Sequence, residues 1–295
     1  MNLGTPKPEI DVGEDLIRSL LRDQHPDLAD RPLVLFDTGW DNFTFRLGED
    51  LALRLPRREA AAQLILNEQR WLPQLATRLP IPIPAPLRVG NPGAGYPWHW
   101  SVLPWLPGRA ADEEAPRSDQ AIPFAAFLRA LHQPAPEDAP ENPFRGCALA
   151  ERASAIEERL TRLRTKTDLI GTEVEEAWRA ALSAPVSTES MWLHGDLHAR
   201  NTLVDHGEIS GIIDFGDITS GDVATDLAAA WALFEDSGAR RRVLDEVGAD
   251  AATRCRARGW AVSFGAMLLD TGLIDHPRHA VMGERMLRRI AEDDF

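Results

Sequence analysis

The chain has 295 residues, of which 44% are apolar, and a formal net charge of −14. That length supports two lobes or one large domain with a proper hydrophobic core. The negative balance argues against nucleic acid as a partner, since phosphate-backbone binders show a basic footprint, and no apolar run is long enough for a membrane span. The opening residues lack the basic-then-apolar pattern of a secretory signal, and the only cysteines, Cys147 and Cys255, lie far apart. The expectation is a cytoplasmic chain with free, buried thiols. No Cys/His cluster has the spacing of a zinc site.

In chain order, residues 13–28 predict an amphipathic helix, with Leu16, Ile17, Leu20 and Leu21 at helical spacing. Strand-like runs follow at 33–36, 42–47 and 51–55, the last two joined by the turn Gly48-Glu49-Asp50. Residues 59–72, rich in Ala, Leu, Glu and Gln, predict a strong helix that Pro73 interrupts. Pro80-Ile81-Pro82-Ile83-Pro84-Ala85-Pro86 must be extended, because each proline fixes its own φ and biases the residue before it. Two further strands are expected at 87–89 and 98–103. After Pro107-Gly108 the pattern turns helical, at 120–132, 149–166, 172–182, 222–234, 250–271 and 277–291. An α+β, two-lobed fold follows: a β-rich N-terminal part, residues 1–106, and a mainly helical C-terminal part, residues 107–295. The expected linker is Leu103-Pro104-Trp105-Leu106-Pro107-Gly108.

The chemistry concentrates in two segments, His194-Gly195-Asp196-Leu197-His198-Ala199-Arg200-Asn201 and Ile213-Asp214-Phe215-Gly216. Between them, two β-branched runs flank Asp205-His206-Gly207-Glu208, a hairpin signal that folds Asp214 back beside Asn201. Phosphoryl transfer calls for such a set. One carboxylate, Asp196, orients the attacking hydroxyl and accepts its proton; an amide oxygen, Asn201, and a second carboxylate, Asp214, hold Mg²⁺ on the nucleotide phosphates. The three together make a nucleotide-binding pseudokinase the weaker alternative.

These residues resemble the aminoglycoside phosphotransferase family of the protein-kinase-like superfamily. The resemblance runs from about Leu33 to the C-terminus. Besides the two segments above, Thr38-Gly39-Trp40-Asp41-Asn42, Leu53-Arg54-Leu55-Pro56, Trp105-Leu106-Pro107-Gly108, Ala130-Leu131-His132 and Gly221-Asp222 with Asp226 carry it. It implies a protein-kinase-like fold, with Asp196 catalytic and Asn201 and Asp214 as the Mg²⁺ ligands. Gly39, Asp41 and Asn42 would sit in the turn over the nucleotide phosphates, and Leu103 and Trp105 would line the nucleotide site. His194 would bond neighbouring backbone, Asp226 would brace the catalytic loop, and His198 would serve positioning. Arg54 stands where kinases place a phosphate-contacting lysine; the chain's only lysines are Lys7 and Lys166. Arginine keeps the charge and grips phosphate with a planar fork. Glu68 is the expected ion-pair partner of Arg54, with Glu59 as the alternative.

The implied activity is transfer of the γ-phosphoryl of ATP or GTP to a hydroxyl of a small molecule. An aminoglycoside-type antibiotic is the first choice, and a macrolide or a choline-, homoserine- or sugar-type metabolite is the alternative. The segment between Phe215 and Asp226 is too short for the activation segment that protein substrates dock against. Residues 1–107 hold 11 basic and 13 acidic side chains, a net of −2, and the remainder 21 and 33, a net of −12. That asymmetry suggests a cationic acceptor attracted by acids of the second lobe. Glu235, Asp236, Asp270, Asp275 and the closing Glu292-Asp293-Asp294-Phe295 are the candidates.

Overall fold

Phe43, Phe45 and Leu47 alternate along one strand and Leu51, Leu53 and Leu55 along the next, so one face of the pair is apolar. In the computed structural model, which describes residues 6–293, this face is the core of the first of two compact units. Of the described residues, the unit comprises 6–78 together with Pro82–Leu106. Its sheet is antiparallel, in the order β1 (Leu33–Thr38), β2 (Asn42–Leu47), β3 (Leu51–Pro56), β5 (Trp100–Pro104) and β4 (Arg88–Gly90). Helix α1 (Glu14–Gln24) covers the apolar face with Ile17, Leu20 and Leu21, and Trp100, Val102 and Tyr96 complete the cluster. α1 stops at Gln24 and a 3₁₀ turn, Pro26–Leu28, finishes the stretch read as one helix, because Pro26 cannot donate to it.

Helix α2 (Ala62–Leu75) turns its buried Glu68 toward the sheet, and Gln69 Nε2 donates to the Trp100 carbonyl (2.9 Å) and to Ser101 Oγ (3.0 Å). Pro73 does not interrupt this helix: α2 continues through it to Leu75. Pro73 forfeits one intrahelical hydrogen bond, and burial of Trp71, Leu72 and Leu75 outweighs that loss.

The second unit takes Leu79–Ile81 and the chain from Pro107 onward. A three-stranded sheet joins β6 (Arg109–Ala110) to the hairpin of β8 (Thr202–Asp205) and β9 (Glu208–Ile212). β7 (Met191–Leu193) pairs with β10 (Thr219–Gly221). The helices are α3 (Ala121–Leu131), α4 (Leu149–Arg164), α5 (Thr172–Ser183), α6 (Ala224–Leu227), α7 (Ala229–Leu233), α8 (Ser237–Glu246), α9 (Ala251–Asp275) and α10 (Pro277–Glu292). The single helix expected over 222–234 is two short ones, with Asp222 accepting from the Ala224 N–H (3.1 Å) at the start. Helix α8 was not foreseen. Asp236 caps its start, accepting from the Ala239 N–H at 2.8 Å.

Among the described residues no helix is long and apolar enough to cross a membrane. Both cysteines are free thiols, half-buried where the sequence suggested full burial. The first five residues, the candidate acid Asp294 and the closing Phe295 lie outside the described residues.

Candidate active site

Strand β7 ends at Leu193, and the next four residues form a loop whose shape is fixed from beneath. The buried Asp226 carboxylate accepts the backbone N–H groups of His194 (2.8 Å) and Gly195 (2.9 Å), and His132 Nε2 at 3.1 Å. Burial pushes this carboxyl up, but the hydrogen bond and charge of His132 and the loop donors hold it below the usual carboxylate range. Gly195 has φ +85°, and a Cβ there would lie 2.3 Å from the Asp217 carbonyl oxygen, so only glycine fits. His194 Nδ1 accepts the Asp196 N–H (3.2 Å) while Nε2 faces the Ile213 carbonyl (2.9 Å). This imidazole ties the loop to the end of β9.

Asp196 emerges from that loop partly exposed. Arg145 lies 3.1 Å from its Oδ1 and His198 Nε2 3.4 Å from its Oδ2. Burial pushes the Asp196 carboxyl up, but the pull of His198, then of Arg145 and His194, overrides it and keeps the group ionised well below the usual carboxylate range. Asn201 is buried, and its amide nitrogen donates to the Asp196 carbonyl at 2.9 Å, which presents the amide oxygen as the remaining end. The hairpin that follows has His206 at φ +52° and Gly207 at φ +78° in its turn, the two left-handed residues that match strand twist. Register Thr202↔Ile212 and the bond from the Ile213 N–H to the Asn201 carbonyl (2.9 Å) bring Asp214 back to Asn201. Asp214 itself takes φ +63°, ψ +66°, a conformation that costs a non-glycine residue energy and turns the chain sharply into the 3₁₀ turn Phe215–Asp217.

In the first unit, Arg54 Nε lies 3.1 Å from Glu68 Oε2, both side chains nearly buried; Glu68 rather than Glu59 is the partner. Register Arg54↔Ser101 and Ala52↔Leu103 puts Arg54 and Leu103 on one face of the sheet. The Trp105 ring meets Phe36 edge-on at 4.7 Å and lies under Arg46 at 4.8 Å. The turn from Gly39 to Asn42 is closed by Gly39 N–H to Asn42 carbonyl (3.0 Å) and is braced by two cations that the sequence reading passed over. Arg57 donates to the Gly39 carbonyl (2.6 Å), and Arg58 pairs with Asp41. Arg54 is thus one of three cations at this end of β3. Arg54→Ala should raise nucleotide KM roughly tenfold to hundredfold, the value of one charged contact, with Arg54→Lys intermediate. A thermal melt run alongside separates this from the destabilisation expected when Glu68 is left buried and unpaired.

The model of the phosphotransferase enzyme family (APH) matches residues 33–261. The chain belongs to that family. Among solved structures, it is similar to the GDP complex of an aminoglycoside 2′-phosphotransferase-IIIa, at 17% identity and TM-score 0.68, covering 96% of this chain and 100% of that one. It is likewise similar to a macrolide 2′-phosphotransferase from Brachybacterium faecium, at 21% identity and TM-score 0.61, covering 95% and 99%. A GDP and kanamycin complex matches at 18% identity and TM-score 0.63, covering 95% and 99%. No curated protein sequence matches significantly. At these identities the structures show that the fold is shared.

Several of the acids suggested for acceptor binding are engaged within this phosphotransferase itself. Asp236 is used as a helix cap. Asp270 is fully buried beneath three cations, with Arg162 at 2.7 Å, Arg159 at 3.3 Å and Lys166 at 3.6 Å. Asp270 therefore cannot line an open pocket: its charge binds α4 to α9. Glu235, in the bend between α7 and α8, and Asp275, the last residue of α9, are exposed. Asp293, from the acidic chain end, is buried too, accepting from Trp231 Nε1 (2.7 Å) and Arg240 Nε (2.9 Å). Of the residues near Asp196, His198 was foreseen, but Arg145, Asp217 and Asn142, whose Nδ2 donates to Asp217 Oδ1 at 2.7 Å, were missed. The run from 133 to 148 has no periodicity, so no sequence signal marked Asn142 and Arg145, whereas Asp217 directly follows Asp214-Phe215-Gly216 and could have been found there.

Proposed function

We propose that this protein transfers the γ-phosphoryl group of ATP or GTP, bound with Mg²⁺, to a hydroxyl of a small molecule. One observation carries the reading: a single braced loop and the hairpin after it bring Asp196, Asn201 and Asp214 to one end of the hairpin. Asp196 would orient the acceptor hydroxyl and take its proton as the new O–P bond forms and the bond to the nucleoside diphosphate breaks. Asn201 and Asp214 would hold the metal, which when bound neutralises charge on the phosphates. The donor set fits a hard dication: an amide oxygen already oriented by its own nitrogen, and the Asp214 carboxylate. Burial first, and then the negative charges of Asp196 and Asp214, push the neighbouring Asp217 carboxyl up. In the first lobe, residues 1–106, Arg54 positioned by Glu68, the turn of Gly39, Asp41 and Asn42, and Leu103 with Trp105 would bind the nucleotide. Residues 107–295 would supply the chemistry and the acceptor site.

An aminoglycoside-type acceptor is the first reading, supported by structures of the same fold whose ligands include kanamycin. A macrolide is the second, favoured because Asp236 and Asp270 are occupied within the protein and leave fewer acids for a polycation. Coupled release of nucleoside diphosphate tests both, with ATP or GTP and a panel of aminoglycosides, macrolides and small amino alcohols. Stimulation by one class identifies the acceptor, and none above background would defeat the reading. Asp214→Ala should abolish most of the tightening of nucleotide binding by Mg²⁺, and Asn201→Ala less of it, since the anionic ligand contributes more to a dication. Titration of nucleotide with and without Mg²⁺ checks this.

A further inference from the structure

Residues 139–148, between α3 and α4, run beside the catalytic loop and are fastened to the chain that follows Asp214. Thr219 Oγ1 donates to the Pro140 carbonyl (2.8 Å), Asn142 holds Asp217, and the Asp222 N–H donates to the Gly146 carbonyl (3.0 Å). Gly146, at φ +70°, packs where a Cβ would fall 2.8 Å from Leu193 Cδ1 and 2.9 Å from the Ser220 carbonyl oxygen. The segment is therefore a strap with little freedom, and Arg145 is the side chain it delivers to the site. Its Nη2 lies 3.1 Å from Asp196 Oδ1 and 4.0 Å from Asp217 Oδ2, and its guanidinium rests over the buried ring of Phe264 at 4.9 Å.

We propose that Arg145 is a positioning residue for phosphoryl transfer, fixing the Asp196 carboxylate in the orientation that meets the acceptor hydroxyl. The proposal rests on the reading of Asp196 given above. A carboxylate has two torsions to settle, and here each oxygen has its own cationic-side neighbour, Arg145 on Oδ1 and His198 on Oδ2. Arginine suits this place on the strap: its Nη2 faces both carboxylates while the planar guanidinium stacks on an aromatic ring, a geometry that a lysine's point charge reproduces only in part. The arrangement is costly to stability, because Arg145 Nε is buried with no hydrogen-bond partner among the described residues. A group kept for packing alone would not need that charge. Misorientation of a reacting group by a fraction of an ångström is enough to lose rate without losing binding.

Steady-state kinetics on Arg145→Ala, Arg145→Lys, Arg145→Met, Asp196→Asn and the double variant Arg145→Ala/Asp196→Asn test this, each checked by thermal melt. Met keeps the apolar stem over Phe264 and serves where Ala fails to fold. The expected result is a kcat about 10–100-fold lower in Arg145→Ala or Arg145→Met, with nucleotide KM changed less than about threefold. Lysine should restore part of the rate, as should added guanidinium with the alanine variant. The double variant should be no slower than Asp196→Asn, since the arginine acts only through that carboxylate. An unimpaired Arg145→Ala, or a loss that multiplies with that of Asp196→Asn, overturns the inference while leaving the proposed function standing. An Asp196→Asn enzyme that is itself fully active overturns both.

Discussion

Asp196→Asn is expected to lower kcat by about 10²–10⁴-fold, the span associated with one positioned acid–base group, while nucleotide affinity and thermal midpoint stay near wild type. The amide is nearly isosteric with the carboxylate, and the loop around it is not held by the Asp196 side chain. Its shape comes from Asp226 gripping the His194 and Gly195 N–H groups and from His194 bridging to Ile213. What the substitution removes is the negative charge between Arg145 and His198 and the capacity to take a proton. A carboxyl held below its usual range by those neighbours would, under the proposed mechanism, act chiefly by orienting the hydroxyl and receive the proton late. Single-turnover measurement at saturating nucleotide and acceptor isolates this step from product release. A variant with more than half of wild-type kcat would remove Asp196 from the chemistry.

The parts legible in the sequence were those whose cause is local. Alternation in residues 42–47 and 51–55 gave β2 and nearly all of β3, because one face of those strands is the unit's core. The turn Asp205-His206-Gly207-Glu208 gave the second hairpin, since left-handed residues are chemically marked. What stayed hidden was set by distant partners. Pro73 reads as a helix end until the packing of Trp71 and Leu75 is known. Asp236 reads equally as the last residue of one helix or the cap of the next. Above all, a count of acids says nothing of what they face. Several of the 33 acids behind the −12 of residues 108–295 are held in buried pairs, such as Asp270 with Arg162, Asp293 with Arg240 and Asp222 with Arg256, which leave the net charge unchanged but take those carboxylates away from any acceptor. Arg145, by contrast, sits in an aperiodic stretch more than 50 residues from Asp196 in sequence, and only the fold connects them.

Asp226→Ala should be the most destabilising substitution near the site. It strips the acceptor from two buried backbone N–H groups and from His132 at once. Leaving a buried donor unsatisfied costs about 1–3 kcal/mol, so a loss of about 3–5 kcal/mol is expected, on the order of 10 °C in Tm for a chain of this size. Activity should fall with it, because Gly195 and Asp196 lose the anchor that sets their backbone. Asp226→Asn keeps one acceptor oxygen and should fall between. The carboxylate also predicts a pH dependence. Its native pKa is depressed, so its ionised form contributes stability that is fully present above the ordinary carboxylate value and is lost as pH falls through the depressed one. The Tm difference between wild type and Asp226→Asn should accordingly be constant from neutral pH down to the ordinary carboxylate range and shrink below it. A difference that instead changed near neutral pH would remove the linkage from Asp226. An Asp226→Ala protein melting with the wild type would mean that the catalytic loop is held by something else.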